Sequence, residues 1–415
     1  MKILVLENEP SSRRGGQEWC LLEVCTGLAQ RGHEVHLIYR EDGDFLPKYQ
    51  QFCKSMTKVR RYVIDTTGKR HLILSSLSWL GSLLPALKIN PDVVYINQTR
   101  EAFFGGAVAR LKRVPLVCHL HIFPHKTFRP QIKWGLKHVT RFMTVSQATL
   151  QGYLRAGFDP KTLQVVYNGI DLKRFSMQGD RQQTRQRLDV PPDAFAVLYA
   201  GRIDRPKNIE MLIRAFAQLG LPPEQARLMI VGSPVVHSSP EAAAAYVQEL
   251  KDLCSQLNIS DSVHWLGRRT DLPEIFRAAD VSVLPSLLPD TFGLVLAESM
   301  ACGTPALGLK YGGIPDVLSD EFEKFQIPVG DVAGLSDRLR SLRNWQETDP
   351  TLGQRCRAYV EKRFPVERMV AEVETVLQEA VEAGPVRLGP SPESLQAWEH
   401  EVVTNPTALA GLVTR

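Results

Sequence analysis

An α/β fold of two consecutive doubly wound parallel-sheet domains is the class this sequence predicts, and three observations predict it. Short apolar runs alternate with longer amphipathic stretches, the pattern of strand–helix units around a parallel sheet. That series stops at a polar stretch, Ser176–Gln186, and then begins again. The chain has 415 residues, which suits two to three domains at roughly 100–200 residues each. Hydrophobic residues at 44% and charged residues at 23% exclude wholesale disorder and fibrous structure.

Taken in order, Ile3–Leu6, Val35–Tyr39, Val93–Ile96, Leu116–His119 and Phe142–Val145 read as buried strands. Gln164–Phe175 reads as a further strand followed by an Asn168-Gly169 turn, and Glu18–Arg31, closed by Gly32, as the helix between the first two strands. After the polar stretch, Ala196–Ala200, Arg227–Val231, Val263–Leu266, Val281–Leu284 and Pro305–Gly308 read as strands. Ile209–Leu219 and Pro240–Leu257 are the helices between them. Helical pattern returns at Ser336–Arg343, Thr351–Arg363 and Val366–Ala383. The reading divides the chain into domains over 1–175 and 176–365, a helix over 366–384 and a tail over 385–415. That tail carries Pro385, Pro390, Pro392 and Pro406 around one helical stretch, Glu393–Val402, and is expected to pack loosely.

The formal charge is +5, but it is divided unevenly. Residues 1–175 hold 26 Lys/Arg against 13 Asp/Glu, and the remainder holds 24 against 32. A basic first half implies an anionic partner: a phosphorylated small molecule, an anionic membrane or nucleic acid. Nucleic acid fits worst and no such partner is expected, because the charges are dispersed rather than clustered with aromatic residues. The seven cysteines are scattered with no Cys-x-x-Cys pair, which argues against a disulfide framework or zinc ribbon and favours a reducing cytosol. From Met1 the chain reaches Glu7 and Glu9 too soon for a signal peptide. The most apolar stretch, Leu72–Leu87, is interrupted by Ser75, Ser76, Ser78, Ser82 and Pro85, and falls short of the roughly 20 residues that cross a bilayer. It reads as a buried or surface amphipathic helix. A peripheral contact with an anionic membrane is the alternative, given Lys69, Arg70 and Lys88. The expected location is the cytoplasm, in the second reading at the inner face of the membrane.

Three motifs carry chemistry. Arg13-Arg14-Gly15-Gly16-Gln17-Glu18 follows the first strand and opens a helix, where paired glycines and a helix N-terminus suit an anion, although two loop glycines also make an ordinary turn. Tyr199–Asn208 follows the first strand of the second half. Its Arg202 and Lys207 suit a diphosphate, one as a planar fork and one as a mobile point charge; the alternative is a pair of solvated loop charges. Pro289–Pro305 places Asp290 just before a helix starting near Phe292, with Glu298 inside it. Backbone N–H groups at Phe292, Gly293 and Leu294 would then be free for phosphate oxygens, unless Asp290 or Thr291 is simply the N-cap. His119 and His121 fall on one face of their strand, readable as metal ligands or as structural histidines.

Together these residues resemble the family 4 retaining glycosyltransferases, enzymes of the GT-B fold. In that fold two Rossmann-like domains face each other across a cleft, and a C-terminal helix crosses back. The similarity runs from Met1 to about Ala383. Gly15–Val35 is similar to the family's first strand–loop–helix, and Val145-Ser146 with Tyr167–Asp171 to its hinge. Gly201-Arg202 with Lys207 resembles the donor-diphosphate loop, and Gly267–Ser286, including Ala279-Asp280-Val281, the segment lining the nucleobase. Asp290 to Glu298 resembles the Glu-x7-Glu signature, with the first Glu shortened to Asp, and Gly312–Asp316 the loop after it.

The resemblance implies transfer of a sugar from a nucleotide diphosphate sugar with retention at the anomeric carbon. It assigns His121, Asp290, Arg202 and Lys207 to catalysis. Donor contacts fall to Gly16, Gly232, Arg268, Arg269, Phe292, Gly293, Leu294 and Glu298 beside Arg202 and Lys207. Acceptor contacts fall to Gly15, Gln17, Arg100, His119 and Lys126, with Arg13, Arg14, His125 and Arg129 as further candidates. The donor expected from the family is UDP-glucose, and the acceptor a sugar or sugar phosphate, as in sucrose-phosphate synthase. A lipid-linked acceptor at a membrane is the alternative. No cofactor or metal is expected, since two cations are at hand to neutralise the leaving diphosphate. The shortened Asp290 also leaves open a non-catalytic nucleotide-sugar-binding protein.

Overall fold

The computed structural model describes residues 1–13, 15–234 and 239–404; Arg14 of the first motif and Pro406 of the tail lie outside them. Two compact units result among the described residues: Met1–Gly169 with Val366–Thr404, and Ile170–Pro365. The first crossing thus falls at Gly169–Ile170, upstream of the expected boundary after residue 175.

In the first unit the strands are β1 (Lys2–Glu7), β2 (Glu34–Tyr39), β3 (Ser55–Lys58), β4 (Val93–Ile96), β5 (Leu116–Leu120), β6 (Arg141–Thr144) and β7 (Leu163–Val165). They form one sheet in the order β3-β2-β1-β4-β5-β6-β7, every pair parallel. In the second unit β8 (Phe195–Ala200), β9 (Ala226–Val231), β10 (Val263–Gly267), β11 (Val281–Leu284), β12 (Ala306–Leu309) and β13 (Gln326–Ile327) form a sheet in the order β10-β9-β8-β11-β12-β13, again parallel. The order reverses between β1 and β4 and between β8 and β11, so each unit has a switch point where ligands of such sheets bind at the strands' carboxyl ends. Two edge strands, β3 and β13, have no counterpart in the sequence reading. Ser55–Lys58 is half exposed and polar, and Gln326–Ile327 has two residues, so neither shows an apolar run.

The helix Val366–Ala383 belongs to the first unit. Its Met369, Val370, Val373, Val376 and Leu377 are buried against Leu21, Val24 and Leu28 of the helix Gly16–Gln30 and the β1–β4–β5 face. The two helices approach so closely that a Cβ on Gly27 would lie 2.5 Å from Val370. The chain crosses between units twice, and Gly169 packs where it does because a Cβ there would meet the Val366 backbone at 2.5 Å.

Two expectations are corrected. The polar stretch Ser176–Gln186, at the expected boundary and with little expected to bury, leads into the helix Arg181–Arg187, whose charges are anchored. Arg181 and Arg185 reach opposite oxygens of Asp280 at 2.6 and 2.7 Å, and Arg185 is buried. A buried charge needs a partner and hydrogen bonds, and Asp280 also accepts from the Ala196 amide at 2.7 Å. The tail is not loose either. Leu395, Trp398 and Val402 of the helix Pro392–Thr404 are buried in the first unit; Trp398 Nε1 donates to the His125 carbonyl at 2.9 Å, and Glu399 pairs with Lys133 at 2.7 Å. Three apolar residues on one helical face outweigh the prolines around it.

Candidate active site

At the carboxyl end of the second sheet, the loops after β8 and β11 are tied together. Leu287 and Leu288 donate backbone N–H groups to the Pro206 carbonyl at 2.8 and 3.2 Å. Lys207, on the first loop, places Nζ 3.1 Å from Oδ2 of Asp290 on the second. Asp290 Oδ1 accepts from the backbone N–H groups of Phe292 at 3.2 Å and Gly293 at 2.7 Å. Burial would raise this carboxyl, but the Lys207 ammonium and the two amides outweigh it and hold the group below the usual Asp range. Phe292 and Gly293 are therefore not free for phosphate oxygens, as the sequence suggested: a side chain one methylene shorter than Glu folds back onto its own loop. Nor is Asp290 or Thr291 the N-cap: that position is Gly293, and the Asp290 carboxylate closes the turn before it.

The helix Leu294–Ala301 begins after Gly293, whose φ of 91° suits glycine. Glu298 lies one turn inside, its carboxyl pushed up to about 7 by burial, an effect Arg174 partly offsets. Gly312 and Gly313 pack on the Asp290 loop backbone to backbone. A Cβ on Gly312 would lie 2.4 Å from the Asp290 carbonyl oxygen and one on Gly313 2.2 Å from that of Thr291. Arg202 is about half exposed, with Asp204 at 3.4 Å, on the same strand-end loop as Lys207. Gly232, after β9, meets Gly201 where any Cβ would collide with its carbonyl oxygen at 1.8 Å, and donates to Gly267 at 2.9 Å.

At the carboxyl end of the first sheet a second cluster forms on the neighbouring strands β1, β4 and β5. His119 and His121 stack with ring centroids 4.1 Å apart, and Tyr95 Oη lies 2.9 Å from His119 Nδ1. Burial pushes His119 down to about 3; burial and then His119 push His121 well below the usual range, so both rings are neutral. Glu7 ends β1 with its carboxyl pushed up to about 7 by burial and then by the charge of Glu18. Glu7 Oε2, Asn97 Oδ1, His119 Nε2 and His121 Nε2 are all buried without a hydrogen-bond partner among the described residues. Leaving such atoms unpaired costs about 1–3 kcal/mol each, and together they offer acceptors to a hydrogen-bond donor.

Comparison with known proteins gives this arrangement a family. The family described as Glycosyl transferases group 1 matches residues 180–362, and Glycosyltransferase Family 4 matches residues 14–174. The chain belongs to the family 4 glycosyltransferases. It is 26% identical over 372 residues to N-acetyl-alpha-D-glucosaminyl L-malate synthase of Bacillus anthracis, covering 87% of this chain and 93% of that protein. It is 34% identical over 230 residues to D-inositol 3-phosphate glycosyltransferase of Streptomyces bingchenggensis, a match spanning 54% of this chain and 49% of that relative. Among solved structures, Anabaena Alr3699/HepE in complex with UDP-glucose superposes with a TM-score of 0.76 at 25% identity, covering 91% of this chain and 100% of that one. The two parallel-sheet units are those of the GT-B fold.

Within this glycosyltransferase the other expected residues fall as follows. Gly15, with φ 142°, and Gly16 open the first long helix. Gln17 spends its amide on the Asn97 carbonyl at 3.1 Å, tying the helix start to the end of β4. Arg100 is part-exposed, donating to Gln98 and facing Glu101 at 3.6 Å, and Lys126 is exposed. Arg269 is engaged by Asp271 at 2.7 Å, while Arg268 is exposed. Asp280 precedes β11 and so lies at the amino end of its strand, opposite the ligand edge, where it anchors Arg181 and Arg185. Beside the histidines lie two buried polar residues the sequence reading did not single out, Glu7 and Asn97. Each is a polar residue ending an otherwise apolar strand, and that was the available signal. Among the described residues no group of three His, Cys, Asp or Glu side chains could hold a metal ion.

Proposed function

We propose that this glycosyltransferase moves glucose from UDP-glucose, with retention, to a hydroxyl group of a sugar or polyol that carries phosphate or another anionic group. The observation that carries the reading is the Lys207–Asp290 pair, which binds two strand-end loops of the second unit with Arg202 on the first of them. The bond from the anomeric carbon to the phosphate oxygen breaks and its electron pair leaves with UDP. A bond to the acceptor oxygen forms on the same face, and the acceptor's proton passes to the departing phosphate. Lys207 and Arg202 answer the charge that builds on the diphosphate, so no metal is required for that purpose. Asp290, held by Lys207 and its loop amides, faces the donor sugar. Neutral His121 receives a sugar hydroxyl at Nε2.

The anionic acceptor is supported by the basic first half and by relatives named for inositol 3-phosphate and L-malate. Glu7 and Asn97 suit its hydroxyl groups. The decisive assay incubates the chain with UDP-glucose and a panel of sugar phosphates, polyol phosphates and hydroxy acids. It reads UDP release and the anomeric configuration of the product by NMR. An inverted product, or turnover unchanged in Lys207→Ala, would overturn the reading. A second reading, a lipid-linked acceptor, is favoured by one observation: an exposed leucine-rich helix face on the first unit.

A further inference from the structure

The helix Lys69–Lys88 is apolar on its outward face as well as in part of its inward one. Its inward face buries Leu83 and Ala86 beside two hydroxyls and an indole. Ser75 Oγ, 2% exposed, accepts from the Asp65 amide at 3.1 Å; Ser82 Oγ, 4% exposed, accepts from the amides of Arg60 and Arg61 at 3.2 Å each. Trp79 Nε1 donates to the Tyr62 carbonyl at 3.2 Å, and its ring stacks on Phe103. The outward face carries Ile73, Leu77 and Leu84, each 62% exposed, and Leu80 at 52%. With Leu72 and Leu74, this one helix supplies six of the 13 large exposed hydrophobic residues among the described ones. Single exposed leucines need no explanation, but a contiguous apolar stripe marks an interaction surface.

The charge around the stripe names the partner. Between Phe45 and Pro91 the sequence holds eight Lys/Arg and one acidic residue, Asp65. Arg60, Arg61, Arg70 and Lys88 are exposed. Beside the helix runs a groove of about 470 Å³ with Lys58 and Arg60 on its rim and Leu74, Leu77, Gly81 and Pro85 along its side. Exposed cations beside an exposed apolar stripe match an amphiphile with an anionic head, although Lys58 itself pairs with Asp42. A second copy of this face would bring like charges together, which disfavours a self-contact. No helix among the described residues is long and apolar enough to cross a membrane.

We propose that Lys69–Lys88 is a membrane-docking helix that lies in the plane of an anionic bilayer, its Ile73–Leu77–Leu80–Leu84 stripe among the acyl chains and Arg60, Arg61, Arg70 and Lys88 at the phosphates. This deepens the lipid-linked reading of the acceptor, yet binding to vesicles requires no turnover, so the two fail separately. The test is flotation of the full chain with vesicles of phosphatidylglycerol and phosphatidylcholine, against phosphatidylcholine alone. The wild type should float with the anionic vesicles at least tenfold better, and lose most of that binding in 0.5 M salt. I73S/L77S/L80S/L84S should abolish flotation, while R60E/R61E/R70E should weaken it at least tenfold. UDP binding and circular dichroism should be unchanged in both, because the altered side chains already face outward. Wild type that does not float, or the serine variant floating as well as wild type, would overturn the proposal. So would a concentration-dependent dimer that the serine variant abolishes, since the stripe would then face a second copy.

Discussion

Glu298 offers the sharpest probe of the nucleotide site, because its carboxyl, pushed up to about 7 by burial, titrates where measurement is easy. If this residue accepts hydroxyl hydrogens from the ribose, as the Asp290–Glu298 signature implies, only its ionised form can do so. Binding then expels a proton. With a value of about 7 in the free protein, the ionised fraction is about one-tenth at pH 6 and about nine-tenths at pH 8, and apparent affinity scales with that fraction. The Kd for UDP-glucose should therefore fall about tenfold between pH 6 and pH 8, equivalent to about 1.4 kcal/mol. UDP-glucose serves better than UDP because both its phosphates are diesters and do not titrate in this window. Isothermal titration in two buffers of different ionisation enthalpy would read both the affinity and the released proton. Glu298→Gln should flatten the profile. A wild-type Kd constant from pH 6 to 8, or an equal slope in the Gln variant, would refute the reasoning.

Further outcomes follow from the same contacts. Lys207→Ala removes the ammonium that pairs with Asp290 and should lower kcat by about 100-fold, in the range seen when one donor to a transition-state oxyanion is lost. Equal loss in KM with unchanged kcat would instead make it a binding residue. Asp290→Glu cannot keep both amide contacts with one more methylene, and should cost about 1 kcal/mol of stability in a denaturant titration; no change would show those contacts to be dispensable. Glu7→Gln should raise the acceptor KM and leave the donor KM alone, measured by varying each substrate in turn; a shift confined to the donor would remove Glu7 from the acceptor side. Thermal stability without ligand should decline as pH rises toward 8, because the raised carboxyls of Glu7 and Glu298 contribute stability that is complete below about 4.5 and lost through about 7. A midpoint that climbs over pH 5 to 8 would contradict this.

Strands buried on both faces announced themselves, which is why Val93–Ile96 and Val281–Leu284 match the sequence reading residue for residue. The edge strands β3 and β13 did not, because Ser55–Lys58 is polar and half exposed and Gln326–Ile327 has only two residues, whereas β7 and β10 at the other edges were read. Chemistry marked Lys207 and Asp290 as candidate site residues, but not their pairing, which depends on two loops held by the Pro206 carbonyl. The fold-back of Asp290 onto Phe292 and Gly293 depends on one methylene and on Gly293 at positive φ. For the tail the signal was present and misjudged: Leu395, Trp398 and Val402 lie on one helical face, and four prolines drew attention away from them.

The division of charge takes on a different meaning in the structure. A surplus of basic residues in the first half suggested that they surround the acceptor. Yet the carboxyl end of the first sheet, where a reacting hydroxyl would sit, holds buried Glu7, Glu18 and Glu101 with two neutral histidines. Arg100, 3.6 Å from Glu101, offsets one of these carboxylates, and the remaining ones suit a neutral hydroxyl there better than a phosphate. More than half of the surplus instead lies between Phe45 and Pro91, around the exposed face of Lys69–Lys88. Attraction for an anion and recognition of the reacting hydroxyl are thus carried by different parts of one domain. Neutralising Arg60, Arg61 and Arg70 should therefore change vesicle binding without changing the pH profile of turnover on a soluble acceptor, since the carboxyls raised to about 7 are Glu7 and Glu298, neither of them on that helix.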